Sequence, residues 1–111
     1  MPETMSPARI VLTTTANADE GARLGRILVE ERLVACATLI PAVQSIYRWK
    51  GKIESSTETL LLLKTGAEQI AALEVRLLEL HSYETPEFLV LKVDGAGQAY
   101  LDWLQASLRR P

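Results

Sequence analysis

The sequence contains very few of the residues from which cross-links and metal clusters are built. Among its 111 residues there is one cysteine, Cys36, and one histidine, His81. A single cysteine excludes an internal disulfide and is typical of proteins in a reducing compartment. A single histidine excludes a cluster of histidine ligands within one chain, so a site of that kind would need several copies of the chain.

Long apolar runs and an excess of positive charge are also missing. No apolar stretch approaches the roughly 20 residues of a membrane-spanning helix, and the first residues hold two prolines and an acid, unlike a secretory signal. Twelve basic and fourteen acidic residues give a net charge of -2, which disfavours phosphate-rich partners. We therefore expect a cytoplasmic protein that binds neither membranes nor nucleic acid.

Common catalytic motifs are absent as well. The sequence has no G-x-S-x-G, C-x-x-C or P-loop motif, and one histidine with one cysteine offers no obvious triad. The acid–base groups that do cluster are His81, Tyr83 and Glu84, and nothing in the sequence arranges them around a reacting atom. We therefore expect no enzymatic activity and no organic cofactor.

What the sequence does contain is an ordinary share of apolar residues, 48%, arranged with the periods of strands and helices. The length fits one domain, which we expect over residues 9–111 after a flexible tail at 1–8. In chain order, the patterns predict a strand at 10–15, a helix ending near Leu33, strands at 36–49 and 53–64, a helix at 70–81, a strand at 88–93 and a helix after the break at 95–97.

Several residues predict local features of these elements. Pro41 cannot donate a hydrogen bond to a neighbouring strand, so a bulge or an edge position is expected there. Lys50-Gly51 predicts a tight hairpin turn, and Ser55-Ser56 predicts an irregularity in the returning strand. Gly21 and Gly25 lie four residues apart and predict a close approach of the first helix to the sheet.

The order of these elements predicts an α+β fold of the ferredoxin-like, split βαβ type (β-α-β-β-α-β) with an extra C-terminal helix. Two helices cover only one face of a four-stranded sheet, yet the runs at 10–12, 60–63 and 88–93 are apolar on both faces. The C-terminal helix is expected to cover part of the second face. We infer that another copy of the chain covers the rest, so the protein is expected to be a homo-oligomer.

The long hairpin between the second and third strands is expected to reach beyond a compact subunit. Tyr47 and Trp49 lie near its tip. Their rings could stack on a ligand, but packing against a neighbouring copy is the favoured interpretation.

Each other candidate site residue has a functional and a structural interpretation. His81 and Glu84 could ligate a transition metal beside the phenol of Tyr83; alternatively, and favoured by the spacing, His81 caps its helix and Glu84 is solvated. Cys36 is more simply a small buried apolar residue than a metal ligand. Lys64 either extends to solvent from the sheet edge or lines a pocket.

Four segments resemble the CutA divalent-cation tolerance proteins. They are LVACATLIP at 33–41, SIYRWKGKI at 45–53, LHSYETPE at 80–87 and YLDWL at 100–104. Their order and spacing match over residues 9–109. The resemblance implies a ferredoxin-like subunit assembled into a homotrimer, with a function in tolerance of copper and other divalent cations.

The resemblance also implies a metal site. His81 matches a ligand position, and Glu84 and Cys36 are further candidates. The bacterial members in which copper binding is described have a cysteine where this chain has Thr13 and a second histidine where it has Leu80. Because a thiolate and an imidazole are lost, the resemblance implies weak binding of copper or another divalent cation.

The family has a cleft between subunits, which the resemblance maps onto seven positions here: Tyr47, Trp49, Lys64, His81, Tyr83, Glu84 and Trp103. Aromatic rings with one lysine and one glutamate suit a small anionic or zwitterionic ligand as well as a metal. The alternative function is therefore a signalling module that senses a small metabolite or nucleotide in this cleft.

Overall fold

A computed structural model describes residues 6–110, and its four strands form one antiparallel sheet in the order β2-β3-β1-β4. This is the predicted split βαβ arrangement, which is confirmed. In chain order the elements are β1 (Ala8–Thr15), α1 (Ala18–Glu30), β2 (Cys36–Trp49), β3 (Lys52–Gly66), a 3-10 turn (Ala67–Gln69), α2 (Ile70–Leu80), β4 (Leu89–Lys92) and α3 (Gln98–Ser107).

The ends of the described chain bear on two expectations. Of the tail expected at 1–8, residues 1–5 lie outside the described residues, and Ala8 already belongs to β1. Across residues 6–110, no helix is long and apolar enough to cross a membrane.

The first helix begins where a side chain caps it and ends earlier than predicted. Asn17 accepts a hydrogen bond from the backbone N–H of Glu20 at 2.8 Å, which satisfies one exposed donor of the first turn. The predicted end near Leu33 was wrong, because α1 stops at Glu30 and the chain reverses at Arg32, whose φ is 60°. Leu33 therefore enters the core from a loop.

The long hairpin of β2 and β3 has its irregularity in one strand only. The bulge predicted at Pro41 is confirmed, since the pairing register shifts between Ile40 and Val43. The irregularity predicted at Ser55-Ser56 was wrong, because these residues pair regularly and the one extra residue lies in β2. Lys50 and Gly51 have φ values of 51° and 81°, as a two-residue hairpin turn of type I′ requires.

The core lies between the sheet and helices α1 and α2. Val11, Leu61 and Leu63 from the strands meet leucines of both helices there. A Cβ added at Gly21 would lie 3.0 Å from the Thr15 hydroxyl, and one at Gly25 would lie 3.0 Å from the Ala37 Cβ. The predicted close approach of α1 to the sheet is confirmed.

The opposite side of the sheet, here called the open face, is apolar and largely uncovered. By strand alternation and register it carries seven apolar side chains: Ile10, Leu12, Ile40, Leu60, Leu62, Leu89 and Leu91. Helix α3 covers one end, where Leu104 packs with Ala8 and Ala35. Leu89 remains 54% exposed and Leu91 45% exposed, so the expected second apolar face is confirmed. β4 is shorter than the 88–93 predicted for it.

Candidate functional site

The candidate site lies where the loop after α2 runs beside the end of β1, and its first residue is His81. The His81 side chain is fully buried. Its Nε2 lies 2.7 Å from the carbonyl oxygen of Thr14, and its Nδ1 lies 3.0 Å from the backbone nitrogen of Tyr83. A carbonyl only accepts and an N–H only donates, so these partners assign the ring proton to Nε2. Both ring nitrogens are therefore occupied by hydrogen bonds.

Glu20 holds the same loop from the first turn of α1. Its carboxylate accepts the backbone N–H of Ser82 at 3.0 Å and lies 3.9 Å from Nδ1 of His81. Burial works to raise the pKa of Glu20, but the hydrogen bonds from Ser82 and the proximity of His81 outweigh it and hold that pKa below its usual value. Glu20 and His81 together fasten the loop to α1 and β1.

Fastening the loop positions the phenol of Tyr83. The Tyr83 hydroxyl donates to Oε2 of Glu58 at 2.6 Å, and its ring lies 4.8 Å from the ring of His81. Burial, followed by the hydrogen bond and charge of Glu58, raises the pKa of Tyr83 well above its usual value. The phenol consequently stays protonated and acts as a donor.

Glu58 was missed by the sequence reasoning, although it is only 8% exposed. It lies on β3 two residues before the run of four leucines begins, and by alternation it shares the open face with Leu60 and Leu62. One signal in the sequence could have singled out Glu58. It is a charged residue on the same face as Leu60 and Leu62, in a strand that is apolar on both faces.

A second carboxylate, that of Glu87, lies at the same end of the open face. Burial raises the pKa of Glu87, and the charge of Glu58 raises it further. Within residues 6–110, no lysine or arginine nitrogen lies within 4.0 Å of either carboxylate. Glu58, Tyr83 and Glu87 are called the acidic corner below.

Of the predicted cleft residues, Tyr47 lies near the acidic corner and Glu84 does not contact it. The Tyr47 hydroxyl accepts a hydrogen bond from Ser56 at 3.3 Å, two residues before Glu58 on the same face of β3. Glu84 is exposed in the loop after α2. Tyr47, His81 and Tyr83 are thus the predicted residues that one chain brings together.

The two tryptophans lie at different places in the fold, and Trp49 is two residues after Tyr47 on the same face of β2. Trp49 is half exposed beside the hairpin turn, where it pairs with Lys52. Trp103 is on α3, is equally half exposed, and its ring lies 5.4 Å from that of Tyr100.

Cys36 and Lys64 are cross-strand neighbours at the far end of the hairpin. The Lys64 ammonium donates to the hydroxyl of Thr38 at 3.2 Å, and the half-buried thiol of Cys36 lies 3.7 Å from the same hydroxyl. β3 and β1 separate Cys36 from the edge where His81 lies, a distance of roughly 15 Å or more from the spacing of strands and residues.

The residues present in one chain do not form a ready metal site. Both nitrogens of His81 are hydrogen-bonded, Cys36 lies across the sheet, and Glu84 is exposed in the loop after α2. Within the described residues, no group of three histidine, cysteine, aspartate or glutamate side chains is placed to hold an ion. At the position of the family's cysteine, the buried hydroxyl of Thr13 has no hydrogen-bond partner within residues 6–110, and it lies in the core.

Comparisons with known proteins agree on one family. The family model described as "CutA1 divalent ion tolerance protein" matches residues 9–107. A Pectobacterium atrosepticum protein named "Divalent-cation tolerance protein CutA" is 46% identical over 101 residues, which cover 90% of this chain and 92% of that protein.

Solved structures show the same relationship. CutA1 from Oryza sativa has a TM-score of 0.93 at 34% identity and covers 98% of this chain and 100% of its own. CutA from Xylella fastidiosa has a TM-score of 0.91 at 36% identity and covers 94% and 100%. The chain belongs to the CutA1 divalent ion tolerance family, and the resemblance seen in the sequence is confirmed.

Proposed function

We propose that the chain acts in cellular tolerance of divalent cations, as a homotrimer and without enzymatic activity. The observation that carries this proposal is the match over residues 9–107 to a family of that description, together with relatives named for the same function. The same match does not favour a module that senses a metabolite or nucleotide.

The open face supports the proposed assembly. An exposed apolar surface of this kind is stabilised when a second protein surface removes it from water. The hairpin also carries exposed apolar side chains on its opposite face, since Ile46 near its tip is 72% exposed and Ile53 is 63% exposed. The radius of gyration of 14.9 Å exceeds the value of about 13 Å for a compact chain of this length, because the hairpin protrudes. The number three comes from the family resemblance.

The proposed metal binding is weak. Copper or another divalent cation that binds His81 must displace one of its two hydrogen bonds, and neither Cys36 nor Glu84 lies in place to complete the site within one chain. A complete set of ligands would have to come from more than one copy. The chain supplies one imidazole per copy, which is a donor that suits copper and zinc.

Native mass spectrometry with and without added Cu²⁺ tests the assembly and the metal together. The expected result is three subunits in both samples and a partly occupied ion-bound form with copper. A monomer would refute the assembly, and the absence of any bound ion at excess copper would refute the metal binding.

Calorimetric titration with Cu²⁺ then tests the ligand. We expect weaker heat for His81→Ala than for the unchanged chain, while Glu74→Gln serves as the control at an exposed carboxylate of α2. Indistinguishable curves for the unchanged chain and His81→Ala would remove His81 from the metal site.

The proposed cellular role has its own experiment. Cells that lack the protein should grow less well on copper salts, and the unchanged gene product should restore growth. We also propose that the protein works in the cytoplasm, which fits its single cysteine; fractionation of cells that express it would contradict this if the protein were recovered elsewhere.

A further inference from the structure

Two opposite charges lie on the open face without an ionic partner. Glu58 is 8% exposed and receives a hydrogen bond from the neutral phenol of Tyr83. Lys64 is half-buried on the same strand, and its ammonium donates to the hydroxyl of Thr38. Within the part of the chain that the structure describes, no opposite charge lies within 4.0 Å of either group.

The two groups cannot pair with each other inside one chain. Both are on β3, six residues apart, with the side chains of Leu60 and Leu62 between them on the same face. A strand of that length spans about 20 Å. Neither a lysine nor a glutamate side chain extends far enough to close such a distance.

When the open face is covered, water is removed from Glu58 and Lys64, and their unpaired charges become unfavourable. A charge buried without its counter-charge is strongly destabilising, whereas a well-placed pair is tolerated. Lys50 is exposed at the hairpin turn, and Lys92 lies by alternation on the helix side of β4. Lys52 shares the open face by alternation, but it is exposed beside the turn, beyond the apolar run. Lys64 is therefore the half-buried cation next to the apolar run that loses water when a second copy covers this face.

We propose that Glu58 of one copy forms an ion pair with Lys64 of a second copy of the chain. The inference rests on the proposed assembly and names a contact that selects its register. Tyr83 orients the Glu58 carboxylate through its hydrogen bond to Oε2. The pair would set the register between the sheets of the two copies. The Lys64 end of β3 in one copy would lie over the Glu58 end of β3 in the other copy.

Charge reversal tests the pair between copies. Glu58→Lys and Lys64→Glu, each prepared alone, should raise the dissociation constant of the assembly on the order of 100-fold or more. Mixing the two variants restores opposite charges across the contact, so native mass spectrometry should show mixed assemblies above the statistical fraction. Glu74→Lys and Lys92→Glu, which reverse exposed charges on the helix side, are the matched controls and should assemble like the unchanged chain.

The outcomes separate this inference from the proposed assembly. If the unchanged chain forms an oligomer and both reversals assemble equally well, the ion pair is wrong and the assembly stands. If the unchanged chain is a monomer, both are wrong.

Folding of each variant is checked by circular dichroism. Should a reversal fail to fold, the neutral variants Glu58→Gln and Lys64→Met enter a double-mutant cycle on the dissociation constant. A coupling factor near 1 in that cycle would overturn the pair, and a factor of about 10 or more would support it.

Discussion

Replacing His81 by phenylalanine should destabilise the fold whether or not metal is present. The aromatic ring of phenylalanine fills a similar volume but has no nitrogen. It leaves the carbonyl of Thr14 without its 2.7 Å contact and the N–H of Tyr83 without its 3.0 Å contact. The loop that presents Tyr83 to Glu58 would lose its attachment to β1.

The magnitude follows from the burial of the two groups. A buried polar group that loses its partner costs about 1–3 kcal/mol. The contact to Thr14 is buried and the contact to Tyr83 is partly buried, where water can replace the lost partner at lower cost. The expected loss in the free energy of unfolding is therefore about 3 kcal/mol.

Urea unfolding in the presence of a chelator measures this loss. The protein concentration is held constant, because the apparent stability of an oligomer depends on it. Glu84→Gln, at an exposed position three residues later, is the control and should change the free energy by less than about 0.5 kcal/mol. A loss below about 1 kcal/mol for His81→Phe, or one that appears only when copper is added, would refute the structural role assigned to the ring.

Three further predictions concern the packing and charges around the site. Gly21→Ala should destabilise the protein by about 1–2 kcal/mol in thermal unfolding, since crowding against Thr15 outweighs the gain in helix propensity; a rise in stability would contradict the close approach. Glu20→Gln should cost most at neutral pH, because the lowered pKa of Glu20 contributes stability above the unfolded value of about 4.3 that disappears as the pH falls below it; a difference that persists unchanged to pH 2 would argue against it. Glu87→Gln should raise stability by a few tenths of a kcal/mol at pH 7 and have no effect well below pH 4, because the raised pKa of Glu87 means that its ionisation opposes folding; destabilisation at pH 7 would show that its carboxylate makes a favourable contact instead.

The fold was predictable from the sequence because each element reports its own environment. Apolar periods, Pro41 and Lys50-Gly51 predicted the element order, the bulge and the hairpin turn, and all three are confirmed. The predicted helix end at Leu33 failed since a buried leucine in a loop continues the apolar pattern of the helix before it.

The candidate site was predictable only where its residues are neighbours in the chain. His81 and Tyr83 were singled out together, and they do lie together. Their partners Thr14 and Glu58 are 67 and 25 residues away, and nothing in the local pattern around either one points to the loop after α2.

By itself, the sequence determined the strands, the helices and the presence of a second apolar face, because periodicity records which side of each segment avoids water. Tertiary structure alone decided the chemistry of the site. The register of β1 on β3 and the path of the loop after α2 use both nitrogens of His81 and bring Tyr83 to Glu58. They also leave Glu58 and Lys64 as opposite charges on a shared open face, since side chains from distant segments meet only once the strands have paired.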